Sequence, residues 1–211
     1  MLYTVITSDI VNYTLLSPEK REELISDFEQ WTQELTTNYQ TNSELFRGDS
    51  FQFLIQDISL SLKIALMNRA YFLKQSSKNT KIDLRQAIGI GNIDQLASTL
   101  SHSDGEAFHL SGRLFDAMDK KGNRMVLASI FPALDAEFQT SLTLLEVIIQ
   151  QWTATQAAVF FHKIQGLNEK EIAHQLGISQ PAINKHLKAL SWKAIETLLE
   201  RFETITKTLN V

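Results

Sequence analysis

The stretch from Gly166 to Leu190, GLNEKEIAHQLGISQPAINKHLKAL, constrains the fold more than any other part of this 211-residue chain. Its caps and apolar spacing predict two short helices joined by a tight turn. Asn168 is placed to cap the first helix, and Glu171, three residues on, to reach back in a capping box. Ile172, Ala173 and Leu176 form an inward face, with Ala173 small enough to admit a crossing helix. Gly177 stands where a helix ends in a left-handed residue. Ile178 plugs the turn, and Ser179 suits the N-cap of a second helix. Pro181 is tolerated there because first-turn amides have no helical acceptor. Ile183, Leu187 and Leu190 share one face of that second helix, while Gln180, Asn184, Lys185 and Lys188 share the other.

This is the pattern of a helix-turn-helix with a reading face. Gln and Asn at the start of a recognition helix can reach base edges in the major groove, and Lys neutralises phosphate. From Ser179 to Lys193 there are three Lys, one His and no acidic residue, in a chain of net charge −4. A plain helical hairpin with a solvated charged face would not need cap, Gly-Ile-Ser turn and basic second helix together. The stretch resembles the helix-turn-helix of bacterial regulators and of sigma-factor region 4. That resemblance implies double-stranded DNA as a partner, with Ser179, Gln180, Pro181, Asn184, Lys185 and Lys188 at the interface.

Charge limits how such binding works. Residues 1–130 carry 13 basic and 16 acidic side chains, and the remainder 7 and 8. Neither part is a basic, non-specific DNA binder, so contact must come from the local patch, and from two copies of it in a homodimer. With 44% hydrophobic residues, three Pro and eight Gly, an ordinary core is available and wholesale disorder is excluded. No run of about 18 apolar residues marks a membrane span. MLYTVITSDI lacks the basic segment and cleavage site of a secretion signal and reads as a first strand. Cysteine is absent, which excludes disulfides, thiolate metal sites and Cys nucleophiles and fits a reducing cytoplasm.

Taken in order, Leu2 to Ile10 reads as a buried strand with Asp9 at its end. Ser17 caps a helix that starts at Pro18 and turns Leu24, Phe28, Trp31 and Leu35 inward. Glu44–Arg47 and Phe51–Ile55 read as a hairpin with Asp49 at its tip. Leu60 to Leu73 is an apolar helix, and Leu84 to Ile93 a strand in which Gly89 and Gly91 predict a bulge or a close backbone approach. A loop, a helix from Asp104-Gly105 to Met118, and a strand from Arg124 to Ser129 follow. The order βαββαβ, with a last helix and strand, predicts an α+β, ferredoxin-like sheet domain over residues 1–130 with its helices on one face. From Pro132 the chain reads as all helical, giving a second domain over 131–211. Leu134, Phe138, Leu142, Leu145, Ile149 and Trp152 keep one face of a connecting or dimerising helix. Ile195, Leu198, Phe202, Ile205 and Leu209 carry a similar stripe to the C-terminus, with no strand pair to make a wing.

Asp9 and Asp49 are the two carboxylates placed for chemistry. In this plan a strand end and a hairpin tip can lie side by side, giving an oxygen-lined Mg²⁺ site for a nucleotide phosphate. The same residues also suit plain turn and loop roles, since Gly-Asp is ordinary turn chemistry. Four segments resemble class III nucleotide cyclases. SDIVNYT looks like their first metal-binding strand, FRGDSFQF like their metal-binding hairpin, RQAIGIG like the strand after their middle helix, and GEAFHLSGRL like their transition-state helix. The resemblance implies Asp9, Asp49 and the Ile10 carbonyl as Mg²⁺ ligands, and Arg113 as the transition-state Arg. It also implies departures: His109 stands where an Asn is expected, Leu45 where a purine-reading Lys is, and His102 near the purine-reading Asp. The base-reading half of a cyclase site is therefore missing. His162, His174 and His186 lack ligand spacing for zinc.

Over nearly its whole length the chain also resembles the SatD family of bacterial proteins, through GDSFQ, the AIGIG strand, DGEAFHLSGR and the C-terminal helix-turn-helix. The resemblance implies the architecture and no settled reaction. Together these readings predict a cytoplasmic, DNA-binding transcriptional regulator with a nucleotide-sensing front domain. The alternative is a Mg²⁺-dependent nucleotidyl cyclase or transferase, with Arg113 and His109 as catalytic residues. The missing base-reading residues weigh against turnover, because a cyclase must orient its base as well as its phosphates.

Overall fold

A computed structural model describes residues 1–46, 48–118 and 122–209. Arg47, assigned above to the hairpin, lies outside them. The first part runs β1 (Leu2–Val11), α1 (Pro18–Tyr39), β2 (Thr41–Phe46), β3 (Ser50–Ile55), α2 (Ser61–Leu73), β4 (Asp83–Asn92), α3 (Glu106–Ala117) and β5 (Met125–Ser129). The second is α4 (Pro132–Gln150), α5 (Ala154–Ile164), α6 (Glu169–Leu176), α7 (Gln180–Ala189) and α8 (Trp192–Lys207). The chain is thus an α+β sheet of five strands followed by a helical region. The sheet order is β2-β3-β1-β4-β5, with β4 and β5 parallel and every other pair antiparallel.

Strand alternation splits the side chains between two covered faces. Ile6 and Ile10 of β1, Phe51, Phe53 and Ile55 of β3, and Ile88 and Ile90 of β4 meet α1 and α2 in the main core. Phe28 of α1 sits 4.5 Å from Phe51, ring to ring, and Gln86 of β4 donates to the Ala65 carbonyl of α2. The opposite set, Val5 and Leu54, packs with Ala107 of α3 and Leu100. Thr7 donates to Ser111 of α3. Helices therefore cover both faces, not one as the strand order had suggested. The reason lies in β4. It is buried on both sides from Asp83 to Gly91, and its glycines bring α3 onto the sheet. A Cβ on Gly89 would stand 2.5 Å from the Ser111 amide nitrogen and collide with the Ala107 carbonyl oxygen.

The helical region is not hung from the sheet by a linker. Phe161 of α5 lies against Trp31 and Tyr71, at 4.8 and 5.7 Å between ring centres. Phe138 of α4 meets Phe202 of α8 at 5.0 Å. One buried cluster runs without a break from Ile6 to Phe202. The α4 stripe, read as connecting or dimerising, is buried within the chain, as are Ile195 and Phe202 of α8, while Leu198, Ile205 and Leu209 are half-buried against the same core. On α4 it is Leu144 and Val147 that stay exposed.

Arg69 of α2 makes the polar link across the same boundary. Its guanidinium is fully buried and donates to both oxygens of Asp83 in β4, at 2.9 and 3.0 Å. It donates to both oxygens of Glu146 in α4 as well, at 2.9 and 2.6 Å. The two carboxylates hold Arg69 above the ordinary guanidinium range despite its burial.

Candidate functional site

Two places bring together the side chains singled out from the sequence. The first is the face of the sheet under α3. Register puts Asp9 of β1 opposite Ser50 of β3, and the Ile10 amide donates to the Asp49 carbonyl at 2.9 Å. The strand end and the hairpin tip thus come together, as the sequence pattern predicts. Asp49 accepts from the Ser50 hydroxyl at 3.3 Å. Arg113 lies on the exposed side of α3, one turn beyond His109.

What the sequence reading lacks is Arg85. It stands directly opposite Asp9 on β4. Its Nη2 donates to Asp9 Oδ2 at 2.8 Å and its Nε to Oδ1 at 3.1 Å, a parallel two-point pair. Its Nη1 donates to the Met118 carbonyl, and the guanidinium covers the Phe115 ring at 4.3 Å. A signal was present: Asp9 is the one charge in β1, and Arg85 is the one basic residue in β4, so each needs a partner once those strands become neighbours. The Mg²⁺ implied by the cyclase resemblance does not fit this arrangement. A hard cation needs the carboxylate lone pairs that Arg85 occupies. Among the described residues, no group of three or more His, Asp and Glu side chains is placed to hold a metal.

Beside this pair, between the β2–β3 hairpin and the start of α3, opens a cleft of about 430 Å³. Phe46 and Phe108 contribute rings to it, Ser50, Gln52 and Ser101 contribute polar groups, and His109 lies at its wall. His109 Nε2 lies 2.8 Å from Asp104 Oδ1. Ser101 is held by Glu44, which accepts from its amide and its hydroxyl at 2.9 Å each. His102 is turned to Thr99, 2.7 Å from its hydroxyl. Leu45 is exposed on β2 and pairs with Phe51, so its side chain lies on the α1–α2 face of the sheet, away from the cleft. The cleft offers aromatic faces and hydrogen-bonding groups, the set that suits a flat heterocycle.

The second place is the helix-turn-helix, where the local geometry follows the sequence closely. The Asn168 side chain accepts from the Lys170 and Glu171 amides, and Glu171 accepts from the Asn168 amide at 2.7 Å. Gly177 takes φ +65°, and the Ile178 amide returns to the Ala173 carbonyl. Ser179 caps α7. Ile183, Leu187 and Leu190 are buried, while Ser179, Gln180, Pro181, Asn184, Lys185 and Lys188 are all exposed. Asn184 and Lys188 open onto a cleft of about 440 Å³ shared with Lys163 of α5 and with Trp192 and Lys193 of α8. A hydrogen bond to Glu196 holds Lys193 above its ordinary range. No wing follows: Trp192 begins α8.

No protein-family model matches this chain, and no curated protein matches it. Among solved structures it is similar to the active GGEEF domain of a diguanylate cyclase from Vibrio cholerae. There the identity is 14% and the TM-score 0.47, over 62% of this chain and 84% of that one. It is similar to the adenylyl cyclase CyaB from P. aeruginosa at 19% identity and a TM-score of 0.42, over 60% and 76% of the two chains. A guanylyl cyclase domain from the aquatic fungus Blastocladiella emersonii gives 15% identity and a TM-score of 0.44, over 56% and 76%.

Proposed function

We propose that this chain is a DNA-binding transcriptional regulator of the SatD type, acting in the cytoplasm as a homodimer. Its cyclase-like part, residues 1–130, senses a ligand of the nucleotide class, and residues 131–211 bind DNA. The observation that carries the reading is α7. Its apolar side is buried against the protein, while Gln180, Asn184, Lys185 and Lys188 are all exposed and free of the core. For the ligand, the support is the cleft between Phe46 and Phe108, which offers stacking faces beside Gln52 and the Asp104–His109 pair. The alternative reading, a Mg²⁺-dependent cyclase or transferase, requires Asp9 to be free for a metal, and Asp9 is held by Arg85.

The DNA reading is tested by selecting a preferred duplex from a random pool and titrating it by fluorescence anisotropy. Two chains per duplex are expected, since a two-fold pair places two recognition helices one DNA turn apart. Lys188→Ala should weaken binding to all sequences and flatten the salt slope by about one unit. Asn184→Ala should change sequence preference, at roughly 1–3 kcal/mol per lost bidentate contact. Parent-like binding by the variant with Gln180, Asn184, Lys185 and Lys188 all changed to Ala would remove α7 as the reader.

A further inference from the structure

We infer that Arg85 is the resident counter-cation of Asp9 and fills the place a divalent metal would take, leaving a latent metal position that the chain keeps closed. Three groups hold the guanidinium there. Asp9 of β1 takes two parallel hydrogen bonds, the Met118 carbonyl after α3 takes a third, and the Phe115 ring of α3 covers the flat face. The side chain is 10% exposed and that of Asp9 is 26% exposed. A planar donor fork is therefore pinned in the geometry that suits a carboxylate, in a setting with little water to screen it.

The consequence for a metal is direct. Magnesium or manganese would need an Asp9 oxygen at about 2.0–2.2 Å. Both oxygens already accept from Arg85, at 3.1 and 2.8 Å. An ion bound to either one would sit within a few ångströms of the guanidinium, and like charges at that range repel strongly. Arg85 would have to leave, breaking three hydrogen bonds and its ring contact. Asp9 and Asp49 lie at adjoining ends of paired strands, joined by the Ile10–Asp49 backbone bond. Among the described residues Arg85 is the side chain that pairs with Asp9, and removing its charge should open the site. This inference is independent of what the neighbouring cleft or α7 binds.

The experiment is electron paramagnetic resonance of Mn²⁺, counting free hexaaquo ion, on the full-length protein, Arg85→Gln, Asp9→Asn and the double variant, with far-UV circular dichroism as the check on folding. The parent should leave millimolar Mn²⁺ free. Arg85→Gln should bind it at least about tenfold more tightly, and adding Asp9→Asn should abolish the gain. Mn²⁺ bound by the parent and lost in Asp9→Asn would overturn the inference, because metal and guanidinium would then coexist. A folded Arg85→Gln that binds no more Mn²⁺ than the parent would overturn it too. If Arg85→Gln does not fold, the parent and Asp9→Asn decide alone: an Asp9-dependent signal sinks the inference, and its absence upholds it.

Discussion

Single side chains in this protein do work that depends on burial. His162 at the end of α5 is half-buried beside the Phe161 ring, with the Lys74 ammonium near it. Burial disfavours the imidazolium, and Lys74 adds repulsion, so its pKa falls below the ordinary 6.5. The unfolded chain then takes up a proton before the folded one does. Stability from this group is fully present above pH 6.5 and is lost as pH falls from there through the lowered folded value. Thermal unfolding at about pH 7.5 and about pH 5.5 should show this, with a smaller drop in His162→Gln than in the parent. An equal drop in both proteins would place the acid sensitivity elsewhere.

At the scale of the element, α6 has only eight residues and depends on its ends. Isolated helices of that length do not hold in water. The Asn168–Glu171 capping box satisfies three amides at the start, and Gly177 closes the other end in a conformation other residues resist. Asn168→Ala should cost about 1 kcal/mol. Because α7 is seated on α6, the DNA-binding reading proposed above predicts that affinity falls with it, although Asn168 is not among the residues proposed to contact DNA. Hydrogen exchange should show the loss confined to α6 and α7 while β1 and β4 keep their protection. Faster exchange throughout the sheet would mean that the cap is not a local device.

For the whole molecule, the decisive feature is the shared core. The sheet part and the helical part meet through Trp31, Tyr71 and Phe161, and through Arg69 between Asp83 and Glu146. These contacts join the sheet to α4 and α5 without a flexible linker. Arg69→Ala would bury two carboxylates without their partner, a change of about 3–5 kcal/mol. The expected outcome is a single unfolding transition at lower denaturant, with tryptophan fluorescence and far-UV circular dichroism still coincident. Two separated transitions in the variant would show that Arg69 alone couples the halves.

What the sequence determined by itself is local. The capping box at Asn168, the left-handed Gly177, the Ser179 cap, the hairpin around Asp49 and the inward stripes of α1 and α4 are all readable. Each of them depends on groups within a few residues of one another, and the physics that favours them acts within the window being read. The strand pattern and the cyclase resemblance were enough for the α+β class. Tertiary structure alone decided which distant groups meet. Arg85 reaches Asp9 across 76 residues and Arg69 reaches Glu146 across 77. A charge in an apolar strand signals that it needs a partner, but strand order and register choose which one. The same holds for α3, whose place on the second face follows from how closely Gly89 lets it approach. It holds again for the stripe on α4: periodicity gives it an inward face, and only packing shows that this chain itself buries it.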